Sequence, residues 1–307
     1  MSKVQILNLI KRPAFIAALF TAFAALSIIY FYKSKTYYTS VPIQLTAYGQ
    51  PYVDVNIEGQ NYPFLLDLGS RMEIKLYSDT LKNLRKSLHG NHHWRNSRGI
   101  QLEIPSYKLN KIKIGNLTFK NPIAAEFPKS SPTEYLVWKH TPPTPAEKVG
   151  SLGLALLHKT NLLLDINTSK LILTNNFNKL KTDGYDISTF SPIPFELASP
   201  SGIFLKIDTD VGLLRLLLDT GCSRTVIHDF FHPEGIEKQT DSHGYTIFTS
   251  KEFNINGIDF GHQKLYCLHM IKNVNNYDGF LGMDFIKNHI MYIDFISKTL
   301  YIKPVGK

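Results

Sequence analysis

The chain has 307 residues, 43% hydrophobic and 19% charged, with a formal net charge of +9. That length supplies a substantial core for one large domain or two ordinary ones, and sixteen Tyr with nineteen Phe favour pleated, half-buried surfaces. The Lys and Arg are scattered with no long basic run, which argues against a nucleic-acid partner, and two cysteines, Cys222 and Cys267, are too few for a disulfide-stapled scaffold.

At the N-terminus, Pro13 to Tyr32 is apolar except for Thr21 and Ser27. Twenty helical residues at about 1.5 Å rise span about 30 Å, the thickness of the hydrocarbon layer. Lys3, Lys11 and Arg12 precede the run and Lys33 and Lys35 follow it, so the charge asymmetry is weak. Ala22-Phe23-Ala24 resembles a signal-peptidase box, so a cleaved signal peptide is the competing reading. The apolar run continues past that box, which favours residues 1–37 as an uncleaved single-pass transmembrane helix. The expected location is the bacterial inner membrane, with the rest of the chain outside the cytoplasm.

From residue 38 onward the chain repeats. Shifting it by 152 residues aligns the segment from Pro42 with the segment from Pro194 without a gap. Leu65-Leu66-Asp67 falls on Leu217-Leu218-Asp219, and Gly69 on Gly221. Val53, Val55 and Ile57 alternate as Leu205 and Ile207 do, the period of half-buried strands, and Gly59 and Gly212 mark hairpin turns. A second pair aligns at an offset of 129: Gly150, Gly153, Asp165 and Leu171 fall on Gly279, Gly282, Asp294 and Leu300. Between these, the segments from Ile112 and Phe253 each predict strand, turn and strand. The expected fold is mainly β, in two pseudo-symmetric β-barrel lobes. Lobe 1 covers residues 38–175 and lobe 2 residues 176–307, with the polar stretch Asn175 to Asp186 as connector.

A pseudo-two-fold arrangement brings equivalent residues face to face. Asp67 and Asp219 each end an apolar strand and precede a Gly turn. Two carboxylates meeting there cannot both ionise; they share a proton. The charged member can then act as general base on a water and the neutral member as acid toward an amide carbonyl, without metal or other cofactor.

Asp219-Thr220-Gly221-Cys222-Ser223, flanked by Leu216-Leu217-Leu218 and Thr225-Val226-Ile227, resembles the active-site loop of retropepsin-like and pepsin-like aspartic proteases. Gly279-Phe280-Leu281-Gly282 resembles that family's apolar-Gly segment, and lobe 1 repeats both as Asp67-Leu68-Gly69-Ser70 and Gly150-Ser151-Leu152-Gly153. The resemblance covers most of residues 40–304. It implies an endopeptidase acting on an extended peptide or protein, with Asp67 and Asp219 catalytic; the chain is expected to be a monomer, held to the membrane by its N-terminal run. Leu68, Gly69, Ser70, Thr220, Gly221 and Ser223 would be the supporting loops. Gly69 and Gly221 would permit the turns, Thr220 would hydrogen-bond across the axis, and Ser223 would bond the outer oxygen of Asp219. Candidate flaps are Asn96–Leu109 and Ser242–Thr249.

Lobe 1 departs from the pattern. Leu68 cannot make the cross-axis bond, Arg71 would place a cation by the pair, and Ala155 stands where lobe 2 has Asp284. A peptide-binding protein that has lost turnover is therefore the rival reading. A homodimer using lobe 2 alone is disfavoured, because lobe 1 already fills the partner position.

The bland readings hold elsewhere. His89, His92 and His93 read as a solvated loop rather than a zinc site. His228 and His232 lack the Glu of a helical metalloprotease motif. Ser151 reads as structural, Asp165 and Asp294 as turn or cap residues, Pro142–Pro145 as an exposed loop, and Asn116-Leu117-Thr118 as a chance glycosylation match. Cys222 and Cys267 read as buried free thiols, with one bridge between them as the alternative.

Overall fold

Val53, Val55 and Ile57 are each no more than 1% exposed on the strand Pro51–Ile57, while Asp54 between them faces outward. That strand turns through Glu58 and Gly59, both at positive φ, into its antiparallel partner Gln60–Asp67. Two left-handed residues match the twist of a tight hairpin, and Gly59 takes the second position without strain. The computed structural model describes residues 36–95, 101–128, 149–198, 202–231, 239–241, 244–270 and 276–306. Among them no helix is long and apolar enough to cross a membrane; Pro13–Tyr32 and Pro142–Pro145 lie outside the described residues.

Tyr38–Lys307 forms one mainly β unit containing three sheets. In lobe 1 the strands run Lys86–Arg95, Gln101–Leu109, Ile123–Phe127, Ile74–Tyr77, Gly150–Gly153, Gln60–Asp67, Pro51–Ile57, Lys111–Ile114 and Leu117–Lys120. In lobe 2 the same order holds: Gln239–Thr240, Thr246–Ser250, Gln263–Leu268, Val226–His228, Gly279–Leu281, Gly212–Leu218, Gly202–Thr209, Phe253–Ile255 and Ile258–Asp259. Each apolar-Gly strand lies parallel to its acid-bearing strand, with Leu152 beside Leu66 and Phe280 beside Leu217. The face of each sheet turned away from its acid carries Phe64, Leu66, Ile74 and Leu152, or Leu216, Leu218, Ile227 and Leu281, all in the main core.

The third sheet joins the halves in the order Tyr38–Pro42, Lys170–Thr174, Leu162–Asp165, His289–Asp294, Thr299–Pro304, Ser191–Pro194. At its centre Leu162 pairs with Ile293, Leu163 with Tyr292 and Leu164 with Met291. Under the 129-residue offset this register maps onto itself, so the pseudo-dyad passes between Leu163 and Tyr292. The flanking pairs obey it too, Val41 with Leu171 and Ile193 with Leu300, and the equivalent turn residues Ser169 and Lys298 share a left-handed backbone.

The stretch from Asn175 to Asp186 is more than a connector. It contains the helix Phe177–Thr182, capped by the Asn176 side chain accepting from the Lys179 amide at 3.0 Å. Leu180 and Tyr185 pack under the third sheet with Leu163, Ile172 and Tyr292. Asp165 and Asp294 do terminate turns: Asp165 accepts from the Thr168 amide at 3.1 Å and Asp294 from the Ile296 amide at 2.9 Å. Cys222 and Cys267 are buried free thiols in different clusters.

Candidate active site

The two acid-bearing strands end at the pseudo-dyad, and there the carboxyl groups of Asp67 and Asp219 hydrogen-bond to one another. Burial raises both acids above the ordinary carboxylate range, and the charge of Asp67 pushes Asp219 further, to about 8. Backbone amides offset part of this: Gly221 N donates to Asp219 Oδ1 at 2.7 Å, and Gly69 and Ser70 donate to Asp67. The pair therefore holds one proton over a wide pH range, with Asp219 the member that keeps it longest.

Gly69 and Gly221 serve a purpose different from the one expected of them. Neither has positive φ. A Cβ on Gly69 would lie 2.3 Å from Asp219 Cγ, and one on Gly221 would lie 2.8 Å from Asp67 Oδ1. Each glycine is required because the opposite carboxyl group rests against it.

Thr220 bonds across the axis as expected. Its Oγ accepts from the Leu68 amide at 2.9 Å and donates to the Leu66 carbonyl at 2.6 Å. Leu68, fully buried, returns no such bond and instead packs into the main core. Gln50 adds a second crossing, its side-chain amide donating to the Gly221 carbonyl. Ser70 O accepts from the Leu154 amide at 2.8 Å, matching Cys222 O and the Met283 amide at 2.8 Å. The bond expected from Ser223 to Asp219 is not formed; backbone amides occupy that role.

Arg71 is exposed, and the cation that opposes the burial of Asp67 is Lys75. Arg71 acts instead on Tyr277, a phenol pushed up by burial that also feels Asp219. The two lobes differ in the bonds around Ala155 and Asp284. In lobe 2, Thr225 Oγ donates to Asp284 at 2.7 Å and accepts from the Gly282 amide at 3.2 Å. In lobe 1, Glu73 accepts from the Ile123 amide at 2.7 Å and pairs with Lys159. Lys75, Tyr277, Gln50 and Glu73 were not singled out from the sequence; polar residues outside the duplicated motifs give no signal of their own.

The hairpin leading from the lobe 1 sheet starts earlier than expected, at Lys86, and pairs Lys86–Arg95 with Gln101–Leu109, with a register shift between Leu88 and Gly90. Residues 96–100 of the first flap candidate and 242–243 of the second lie outside the described residues. His89, His92 and His93 belong to this hairpin strand rather than a loop, and His92 is held below the usual imidazole range by burial. His232 lies outside the described residues. His228 and His269 both face Asp229, with Nδ1 to carboxylate distances of 2.7 and 3.2 Å. Ser151 is a buried strand residue whose Oγ has no hydrogen-bond partner.

No family model matches the chain, and no curated protein does. Among solved structures it is similar to the aspartic proteinase from Irpex lacteus, with a TM-score of 0.57 at 12% identity, covering 88% of this chain and 98% of that one. The chain has the pepsin-like fold.

Proposed function

We propose that the protein is an aspartic endopeptidase in which Asp67 and Asp219 activate a water for hydrolysis of an extended peptide. The observation that carries this reading is the hydrogen-bonded, buried carboxyl pair contributed by equivalent loops of the two lobes. Asp67, the member that ionises first, takes a proton from the water as it adds to the scissile carbonyl. Asp219 gives its proton to the carbonyl oxygen. The tetrahedral intermediate then collapses, the C–N bond breaks, and the departing nitrogen receives a proton from the pair. The hairpin Lys86–Arg95/Gln101–Leu109 is suited to cover the bound strand. We assign Pro13–Tyr32 to a membrane anchor on its length and hydropathy alone; resistance of the full chain to alkaline extraction from membranes tests that assignment.

The test of catalysis is cleavage of a peptide library by the full chain between pH 3.5 and 8, beside Asp67→Asn and Asp219→Asn. Activity in the parent and none in either variant is expected. Equal activity in a variant refutes the dyad. The second reading, a peptide-binding protein without turnover, is favoured by Leu68, which leaves the cross-axis bonding one-sided. Saturable peptide binding with no cleavage at any pH selects it.

A further inference from the structure

Beyond the shared motif, the two lobes present different chemistry on the faces that carry the acids. Gly150 and Gly279 identify the equivalent positions. A Cβ on Gly150 would sit 1.9 Å from Lys75 O, and one on Gly279 would sit 1.9 Å from Val226 O. Lys75 therefore occupies the place of Val226. The strand registers extend the comparison across each sheet. In lobe 1 the row beside Asp67 reads Leu65, Ser151, Lys75, Ala125, Ser106. In lobe 2 the matching row reads Leu217, Phe280, Val226, Tyr266, Ile247. The lobe 1 wall carries two hydroxyls and a cation at its centre between Leu65 and Ala125, and the lobe 2 wall is apolar and aromatic.

Lys75 is placed by its surroundings. Its Nζ lies 4.6 Å from the centre of the Phe127 ring and 5.8 Å from that of Tyr77. Aromatic faces attract an ammonium and fix its position. Beside it in the row, Ser151 is 4% exposed and its Oγ has no hydrogen-bond partner. A buried hydroxyl left unbonded is costly, and a strand surface that sets one next to a cation has the donors of a carboxylate site.

We propose that this wall of lobe 1 is a subsite for an acidic side chain: Lys75, supported by Ser151, receives the carboxylate of an Asp or Glu in the bound peptide next to the reacting bond. Successive side chains of an extended peptide point to opposite sides. An acid directed at Lys75 thus places its neighbour against Phe280 and Val226, so the preferred sequence joins an acidic residue to an apolar one. The inference rests on the reading of this site as a peptide cleft, but recognition and turnover are separable.

The experiment measures binding and cleavage of paired peptides that differ only as Glu against Gln at each position around an apolar residue. Binding is followed by fluorescence anisotropy on the full chain carrying Asp219→Asn, so that turnover does not interfere. At one position the Glu peptide should bind about tenfold tighter than its Gln partner, the scale of a hydrogen bond to a charged group. Lys75→Met should erase that ratio, Lys75→Arg should retain it, and Ser151→Ala, a milder change, should reduce it. Equal binding of Glu and Gln peptides at every position overturns the subsite, as does a ratio that survives in Lys75→Met. A Glu preference in binding with no cleavage by the parent chain upholds the subsite and defeats the endopeptidase reading. Cleavage indifferent to Glu or Gln does the reverse.

Discussion

The Thr220 hydroxyl is bonded on both sides to the loop of the opposite lobe, accepting from the Leu68 amide and donating to the Leu66 carbonyl. One side chain thus secures both backbones at the pseudo-dyad. Thr220→Val keeps the shape and removes the hydroxyl, leaving two buried backbone groups unpaired at about 1–3 kcal/mol each. The urea midpoint should fall accordingly; an unchanged midpoint means the bonds are replaced by water.

Leu68 is the other half of that relationship. Leu68→Ala should cost about 2–5 kcal/mol, as truncations of buried leucines do. Leu68→Thr should cost less, because a hydroxyl there faces the lobe 2 loop as Thr220 faces lobe 1. If both variants unfold at the same urea concentration, the reciprocal bond does not form.

The acid pair predicts the pH dependence of stability. Asp219 titrates at about 8 when folded, against a reference value of 3.8. Between those values the folded chain holds a proton that the unfolded chain has lost. The stabilising contribution is therefore full below about pH 3.8, declines as pH rises, and is gone above about pH 8. Unfolding measured from pH 4 to 9 should show that decline, larger than about 1 kcal/mol in total. Asp219→Asn should flatten it and exceed the parent in stability at pH 8.

Gly69→Ala brings a methyl group within 2.3 Å of Asp219 Cγ, so the carboxyl groups must separate. The strain should cost about 1–3 kcal/mol. Separation should also lower the upper titration of the pair, moving the stability decline to lower pH. Gly221→Ala, at 2.8 Å from Asp67 Oδ1, should do the same more weakly. A stability–pH curve for Gly69→Ala that overlays the parent's contradicts the close packing.

Thr225 and Glu73 each tie a neighbouring element to their own lobe. Thr225→Val strands the Gly282 amide and one oxygen of Asp284, and Glu73→Ala strands the Ile123 amide. Each should lower stability by about 1–3 kcal/mol in thermal or urea unfolding. A neutral Glu73→Ala would mean that water replaces the carboxylate at the Ile123 amide.

The duplicated strands were legible because period-two alternation and the Leu-Leu-Asp-x-Gly pattern survive in both halves without a gap. The register of the third sheet follows from the same repeat, since Asp165 and Asp294 occupy matching turns. Lys75 was not legible. Asp67 and Asp219 align at an offset of 152, but Lys75 and Val226 align at 151, because lobe 1 has one more residue after its Gly turn. Gapless comparison sets Lys75 against Ile227, on the opposite face of the strand. The start of the hairpin at Lys86 was hidden by the polar run Lys86–Arg95, whose residues satisfy strand geometry without an apolar face. The helix Phe177–Thr182 was hidden by its length: Leu180 alone is buried, too few contacts to make a periodic signal.

Leu162–Asp165 and His289–Asp294 are hydrogen-bonded neighbours, so the two jaws of the molecule grow from a continuous floor rather than hang from a tether. Prising the acids apart must shear that floor.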